Sequence, residues 1–305
     1  AEPVASLAAL PFSQPRSDRR LNTDLDSGTL FAAARYEAGP LSVRAYLLHV
    51  QAERGIAPES DRNPAVDAPR FWRYPHVEQT QAALTTDLDL GASSARLVLW
   101  RQWFGQRILQ YANASYATVR AEQQDDDDTH GGRLVLTTAL QPFTLRVIGT
   151  AQTSRHEQVD TPGARLIYRQ NLYTVGSEAD VPIGPGQATF GVAYDRSENP
   201  RTGDKPAQPD KDALAFSAAY RLPLGEGVTL AISGGRRSRF PSARELFGEA
   251  LGRFLPNPDL APERAWLADA ELSFARPVLS FTLNPFFVRS ENTIAQRVVR
   301  VNGVN

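Results

Sequence analysis

Five arginines, Arg236, Arg237, Arg239, Arg244 and Arg253, fall in one polar segment between two apolar runs. A guanidinium presents a planar fork of donors, so this group suits a ligand bearing carboxylates or phosphates, such as an anionic metal chelate or a phosphorylated lipid. A second concentration is acidic, with Asp125, Asp126, Asp127 and Asp128 followed by Thr129 and His130. Clustered carboxylates beside an imidazole can hold a hard or borderline cation, although the spaced ligands and glycine of an EF-hand loop are missing. The run therefore reads first as a solvated acidic loop and only second as a metal loop. His49, His76, His130 and His156 are expected near the outer ends of their strands, at spacings that define no shared metal site.

Other chemistries find no residues to carry them. There is no Gly-x-Ser-x-Gly elbow, His-Glu-x-x-His pair, phosphate loop or dinucleotide fingerprint, so neither an enzyme nor a cofactor is expected. Cysteine is absent, which excludes a thiol nucleophile, a disulfide framework and a Cys-based zinc site. The 33 basic and 34 acidic residues leave a net charge of -1, which argues against a nucleic-acid partner. Methionine is also absent and the chain opens Ala1-Glu2-Pro3, as a processed chain or a fragment would.

The elements that must position these side chains are strands. No apolar run reaches the roughly 18 residues of a transmembrane helix, and mean hydropathy is negative. That balance still suits a membrane crossed by strands, in which only every second residue faces lipid. Over 143–152, Phe143, Leu145, Val147, Gly149 and Ala151 alternate with Thr144, Arg146, Thr150 and Gln152, with Ile148 as the exception. The same period returns at 41–47, 84–90, 188–195, 214–221, 228–233, 266–274 and 279–287, while residues 96–124 read less clearly as one long strand.

Short turn signals fall at 38–40, 91–94, 141–142, 184–186, 223–227 and 276–277, and long polar links at 51–70, 122–132, 155–164, 196–212 and 236–263. Alternating short and long connections define an antiparallel meander with one periplasmic and one external end. The reading is thus all-β: a transmembrane antiparallel β-barrel meander of about twelve strands, each near ten residues, in preference to a sandwich or propeller. In hydrocarbon a sheet must close, because unpaired backbone groups are too costly there. Tyr36, Tyr173, Tyr194, Tyr220, Trp266 and Phe274 fall near strand ends on the apolar faces, where amphipathic rings meet the headgroup boundary.

Within the arginine-rich link, Ser242 precedes Glu245 by the spacing of a capping box, so a short helix over 243–251 is expected to fold over the barrel mouth. Asn257-Pro258 and Ala261-Pro262 fix the chain as it re-enters the wall. The run Phe240-Pro241-Ser242-Ala243-Arg244-Glu245-Leu246-Phe247, followed by Asn257-Pro258-Asp259-Leu260-Ala261-Pro262-Glu263, resembles TonB-dependent receptors. In that family a "Pro-Ser-x-x-Glu-Leu-Phe" turn precedes "Asn-Pro-Asp-Leu-x-Pro-Glu" at the next strand.

The resemblance implies that residues 1–305 are part of a 22-stranded receptor barrel, about half the wall, with two unpaired sheet edges and no plug domain in this chain. It further implies a bacterial outer-membrane location, contact with membrane lipid and lipopolysaccharide, and coupling to the TonB complex through a plug. The cargo it implies is a scarce nutrient complex: a ferric siderophore, haem, cobalamin or a metal chelate. A passive porin-like channel is the alternative, and an outer-membrane enzyme such as a lipase stands further off.

Overall fold

The computed structural model describes residues 20–59, 69–248 and 255–295. All its strands belong to one antiparallel sheet, ordered along the chain. At one end, tight turns join β1 (Leu25–Ala38) to β2 (Leu41–Gly55), β3 (Trp72–Asp89) to β4 (Ser93–Tyr111), and β5 (Val119–Leu140) to β6 (Phe143–Thr161). The same end joins β7 (Arg165–Ile183) to β8 (Gly186–Thr202), β9 (Lys211–Gly225) to β10 (Val228–Arg239), and β11 (Glu263–Ala275) to β12 (Ser280–Leu283). These are the six turns expected from Gly and Pro. Gly227 shows why glycine is needed: its φ is +84°, and a Cβ there would lie 2.2 Å from the Ala275 carbonyl oxygen.

β13 (Phe286–Glu291) carries on from β12 against the same partner, β11. The break falls at Asn284-Pro285, where proline has no N–H to give to a ladder; the Pro285 carbonyl still accepts from the Ala270 N–H at 3.1 Å. Counted as walls, β12 and β13 are one, so the expected twelve strands are present. The sheet is open, with β1 at one edge and the line of β12 and β13 at the other.

The two faces separate as alternation requires. Tyr36, Val43, Thr86, Leu97, Leu134, Gly149, Val175, Tyr194 and Leu214 stand opposite one another in turn across β1 to β9. The other face carries Arg44, Thr85, Val98, Arg133, Thr150, Thr174, Asp195 and Ala213 in the same manner. Val175, Val192, Phe190 and Leu214 are all exposed on the first face. On β7 the apolar positions run from Val181 to Tyr173, about nine residues, which matches the 9–11 needed to cross hydrocarbon with a tilted strand.

The strands themselves run longer than expected, and here the sequence reading is corrected. β5 has 22 residues and β4, β6 and β7 have 19 each. The link expected at 122–132 lies inside β5, and the one at 155–164 shrinks to 162–164, so long and short connections do not strictly alternate. Residues 96–124 are two strands joined over 112–118. Beyond the apolar band both faces of a strand are polar, so its hydropathy is that of a loop. Pairing there is held by the backbone ladder and by cross-strand charges, such as Arg107 to Glu122 at 2.7 and 2.9 Å.

Candidate functional site

The arginine-rich link folds back onto the polar face of the sheet. α1 (Ala243–Phe247) begins at Ser242, whose hydroxyl accepts from the Glu245 N–H at 3.3 Å while the Ser242 N–H donates to the Glu245 carboxylate at 2.8 Å. This is the expected capping box. The helix is shorter than the expected 243–251, ending at Gly248; residues 249–254, and Arg253 with them, lie outside the described residues.

Arg239, the last residue of β10, ties three elements together. Its Nη1 and Nη2 donate to Glu245 at 2.9 and 3.0 Å, and its Nε donates to Glu263 at the start of β11 at 2.6 Å. The Arg239 guanidinium, acting against partial burial and helped by the Ser242 N–H and hydroxyl, holds the Glu245 carboxyl down at about 2. The two carboxylates in turn push Arg239 upward.

Beneath the helix lies the apolar core of the described residues: Tyr168 of β7 with Leu246 and Phe247, flanked by Leu166, Ala243 and Leu260. Tyr168 and Phe247 stack with ring centroids 5.7 Å apart, and His156 stacks on Tyr168 at 5.7 Å. Gln170, next along the same face, donates to the Pro241 carbonyl at 2.8 Å. Lys211 donates to the Leu260 carbonyl. Within the second half of the motif, the Asp259 N–H donates to the Asn257 side chain at 3.1 Å, while Pro258 and Pro262 limit the path between. Pro241, Ser242, Glu245, Leu246, Asn257, Asp259, Leu260 and Glu263 thus form a latch that holds the link against β7 to β9.

The arginines do not form one patch. Arg236 is on the apolar face, opposite Phe216 and Trp266, with its guanidinium 5.9 Å from the Trp266 ring. Arg239 is neutralised by two glutamates. Arg237, opposite Ala265 on the polar face, and Arg244 on α1 are exposed and have no carboxylate partner among the described residues.

The acidic run is equally divided, because strand geometry sends successive side chains to opposite faces. Asp125 and Asp127 face His156 and the latch; Asp126, Asp128 and His130 face the other way. Asp125 accepts from Gln106 at 2.6 Å and from Gln123 at 2.7 Å, Asp127 bonds His156, and Asp128 bonds Arg101 and His130. No group of three or more His, Asp or Glu is placed to hold a metal among the described residues.

Tyr168 and Gln170 were not singled out from sequence, and His156 was weighed only as one of four histidines that share no metal site. One signal was available: Tyr168 is a large ring on the polar phase of its strand, and such a ring needs a cover. His156 lies beyond the apolar band, five positions past Ala151. Burial works to lower its pKa, but the bonded Asp127 and nearby Asp125 prevail and raise it.

The TonB dependent receptor-like β-barrel family model matches residues 7–305. No curated protein is similar to the chain in sequence. Among solved structures, the copper transporter OprC superposes with a TM-score of 0.70 at 13% identity, over 88% of this chain and 46% of that one. The FrpB iron transporter from Neisseria meningitidis (F3-3 variant) gives 0.68 at 15%, over 97% and 48%. The ferric citrate transporter FecA, unliganded, gives 0.65 at 10%, over 88% and 44%. The chain therefore spans about half the length of the solved proteins it matches. Its twelve-strand meander, its apolar band and the match across nearly all its residues place it in one group: the chain belongs to the TonB-dependent receptor β-barrel family.

Proposed function

We propose that this chain forms part of the wall and external mouth of a bacterial outer-membrane receptor that imports a scarce nutrient complex by energy from TonB. The observation that carries the reading is the latch: a long link between β10 and β11 turns inward onto the polar face and buries Leu246 and Phe247 there. A link folded over the lumen side can narrow the mouth and touch cargo, whereas links splayed into solvent cannot. Arg237 and Arg244, free of carboxylate partners among the described residues, are the cations of this segment best placed to meet an anionic chelate.

Coupling to TonB requires a plug, and the remaining half of a receptor of this length supplies room for one. Ferric siderophore, haem, cobalamin and other metal chelates form the cargo class. The protein acts as a transporter, with no catalytic step assigned to its residues.

The test is uptake by cells whose own copy of the full-length gene is deleted and restored. Under metal limitation, restored cells should accumulate a labelled chelate from a panel of these classes, and removal of TonB should abolish accumulation. TonB-independent flux of many small solutes at equal rates would identify a passive channel instead.

A further inference from the structure

Across the polar face, a row of neutral side chains runs from strand to strand. Gln81 of β3 stands directly opposite Gln102 of β4, Gln102 opposite Thr129 of β5, Thr129 opposite Ser154 of β6, and Ser154 opposite Gln170 of β7. Residues so paired share a face, with Cβ atoms about 4.5–5.5 Å apart. Five strands thus contribute one continuous row of carboxamides and hydroxyls. Its β7 end meets the latch, where Gln170 donates to the Pro241 carbonyl at 2.8 Å. The backbone groups between the strands are consumed by the ladders, so recognition on this face falls to side chains alone.

The row keeps hydrogen-bonding capacity to spare. Gln81 donates to Gln102 at 3.4 Å and Gln152 donates to Ser154 at 3.5 Å, both long, while Thr129 donates to Ser154 at 3.0 Å. A carboxamide carries two donors and an acceptor oxygen with two lone pairs. Gln81 therefore keeps its oxygen, and Gln102 its nitrogen, for a further partner among the described residues or beyond them. An aromatic platform lies alongside. Trp100 and Phe104 flank Gln102 on the same face of β4. Trp100 stands opposite Gly131, and a Cβ on Gly131 would lie 2.5 Å from the indole Cζ2 and 2.8 Å from its Cε2. The indole is laid across the glycine, half-buried, with one face toward the sheet and the other away from it.

Charge decides the class of ligand. The row itself holds none, nor does the next line inward, where Ala83, Trp100, Gly131, Gln152 and Leu172 stand opposite one another in turn. One line outward, Asp127 and His156 are bonded to each other, and Asp125 beyond them is held by Gln106 and Gln123. Two lines inward stands Arg133, exposed, whose pull the acidic glycans below measure. Arg237 and Arg244 belong to the latch. A charged ligand seated on the row would give up hydration to groups that supply no counter-charge. Hydroxyls, each both donor and acceptor, match carboxamides instead. We infer that Gln81, Gln102, Thr129, Ser154 and Trp100 form a binding site for a neutral saccharide, with a sugar ring on the indole and its hydroxyls bonded along the row. The inference goes beyond the metal-chelate cargo and rests on the reading above only in taking the polar face as the lumen.

The test uses the full-length receptor in a mild detergent, fluorescently labelled and applied to an array of neutral, uronate-bearing and sulfated oligosaccharides. The neutral glycan retained most strongly is then titrated by calorimetry. The unaltered protein should retain neutral glycans above acidic ones. Trp100→Ala should weaken the titrated affinity roughly tenfold, Gln102→Leu should weaken it about fivefold, and Trp100→Phe should keep part of the binding. Heat-modifiable migration on a gel checks that each variant is folded. Preference for acidic glycans, or undiminished affinity in folded Trp100→Ala or Gln102→Leu, would overturn the assignment. Retention of no neutral glycan by the unaltered protein, the result expected if polypeptide fills the lumen over the row, would overturn it as well. Uptake separates the two levels: TonB-dependent accumulation of a chelate without glycan binding defeats this inference alone, and a protein absent from the outer membrane defeats the reading beneath it.

Discussion

Tyr168 of β7 lies almost flat against Phe247 of α1, with ring centroids 5.7 Å apart and planes 13° from parallel. The two residues are far apart in the chain, and their contact holds the link between β10 and β11 against the polar face of the sheet. Both are nearly inaccessible to solvent in a sheet whose other large apolar side chains are mostly exposed. The link therefore has its own small core, separate from whatever the outer face rests against.

Replacing Phe247 with Ala should open the latch and leave the wall intact. Truncating a buried Phe costs about 3–5 kcal/mol where the site cannot collapse, far more than a five-residue helix can recover from its own propensity. Limited proteolysis should cut between 240 and 262 much faster, while heat-modifiable migration of the barrel on a gel stays as before. Unchanged cleavage would show that the stack does not hold the link.

The capping box gives a smaller, separable effect. Ser242→Ala removes a side-chain acceptor from the first turn and should weaken α1 by about 1 kcal/mol. Hydrogen exchange at the Glu245 and Leu246 amides is the measurement, and roughly fivefold faster exchange is the expected result.

Acid should release the latch late. Glu245 titrates at about 2 when folded, below its ordinary value of 4.5. A depressed carboxyl contributes stability above the ordinary value and loses it progressively as pH falls from there through the folded one. Protection of α1 should persist at neutral pH, decline below about 4.5 and have lost this contribution below about 2. In Glu245→Gln the decline over that window should be smaller, and an identical acid profile in both proteins would count against the Arg239–Glu245 pair.

His156 should respond with the opposite sign. Its pKa is raised because Asp127 and Asp125 outweigh burial, so its contribution is full below the ordinary imidazole value and is lost as pH rises through the folded one. Asp127→Asn should lower the imidazole titration followed by NMR, and should make stacking on Tyr168 less dependent on pH near neutrality.

The facing assignment is open to a direct comparison. Val192 is 54% exposed on the apolar face, and Ser217, at nearly the same height, is on the polar face opposite Gly191 and Gly235. Arginine at a lipid-facing midplane position costs about 2–4 kcal/mol. Val192→Arg should impair assembly into the membrane, Ser217→Arg should be tolerated, and equal folding yields would reverse the assigned faces.

Much of the wall was legible because a strand writes its two faces into alternate residues. The apolar faces at Val43, Val147, Phe190, Leu214 and Phe274 are visible before any pairing is known. The tight turns were equally visible, since Gly184 takes φ +58° and such backbone favours glycine. Asp125 to Asp128 were misread as loop because consecutive charges erase the alternation. Their partners, Gln106, Arg101 and His156, lie on neighbouring strands where local sequence gives no warning.

By itself, then, the sequence determined that the chain forms strands, which side is apolar wherever the alternation is clean, where the tight turns fall and that Ser242 and Glu245 begin a helix. Those features depend on residues a few positions apart. Only the tertiary structure decided that Tyr168 lies under Phe247, that Arg239 is claimed by two glutamates and that a bulge brings Arg201 beside Arg169. Each of these depends on register between strands, and shifting a pairing by one residue would send the same side chains to the opposite face.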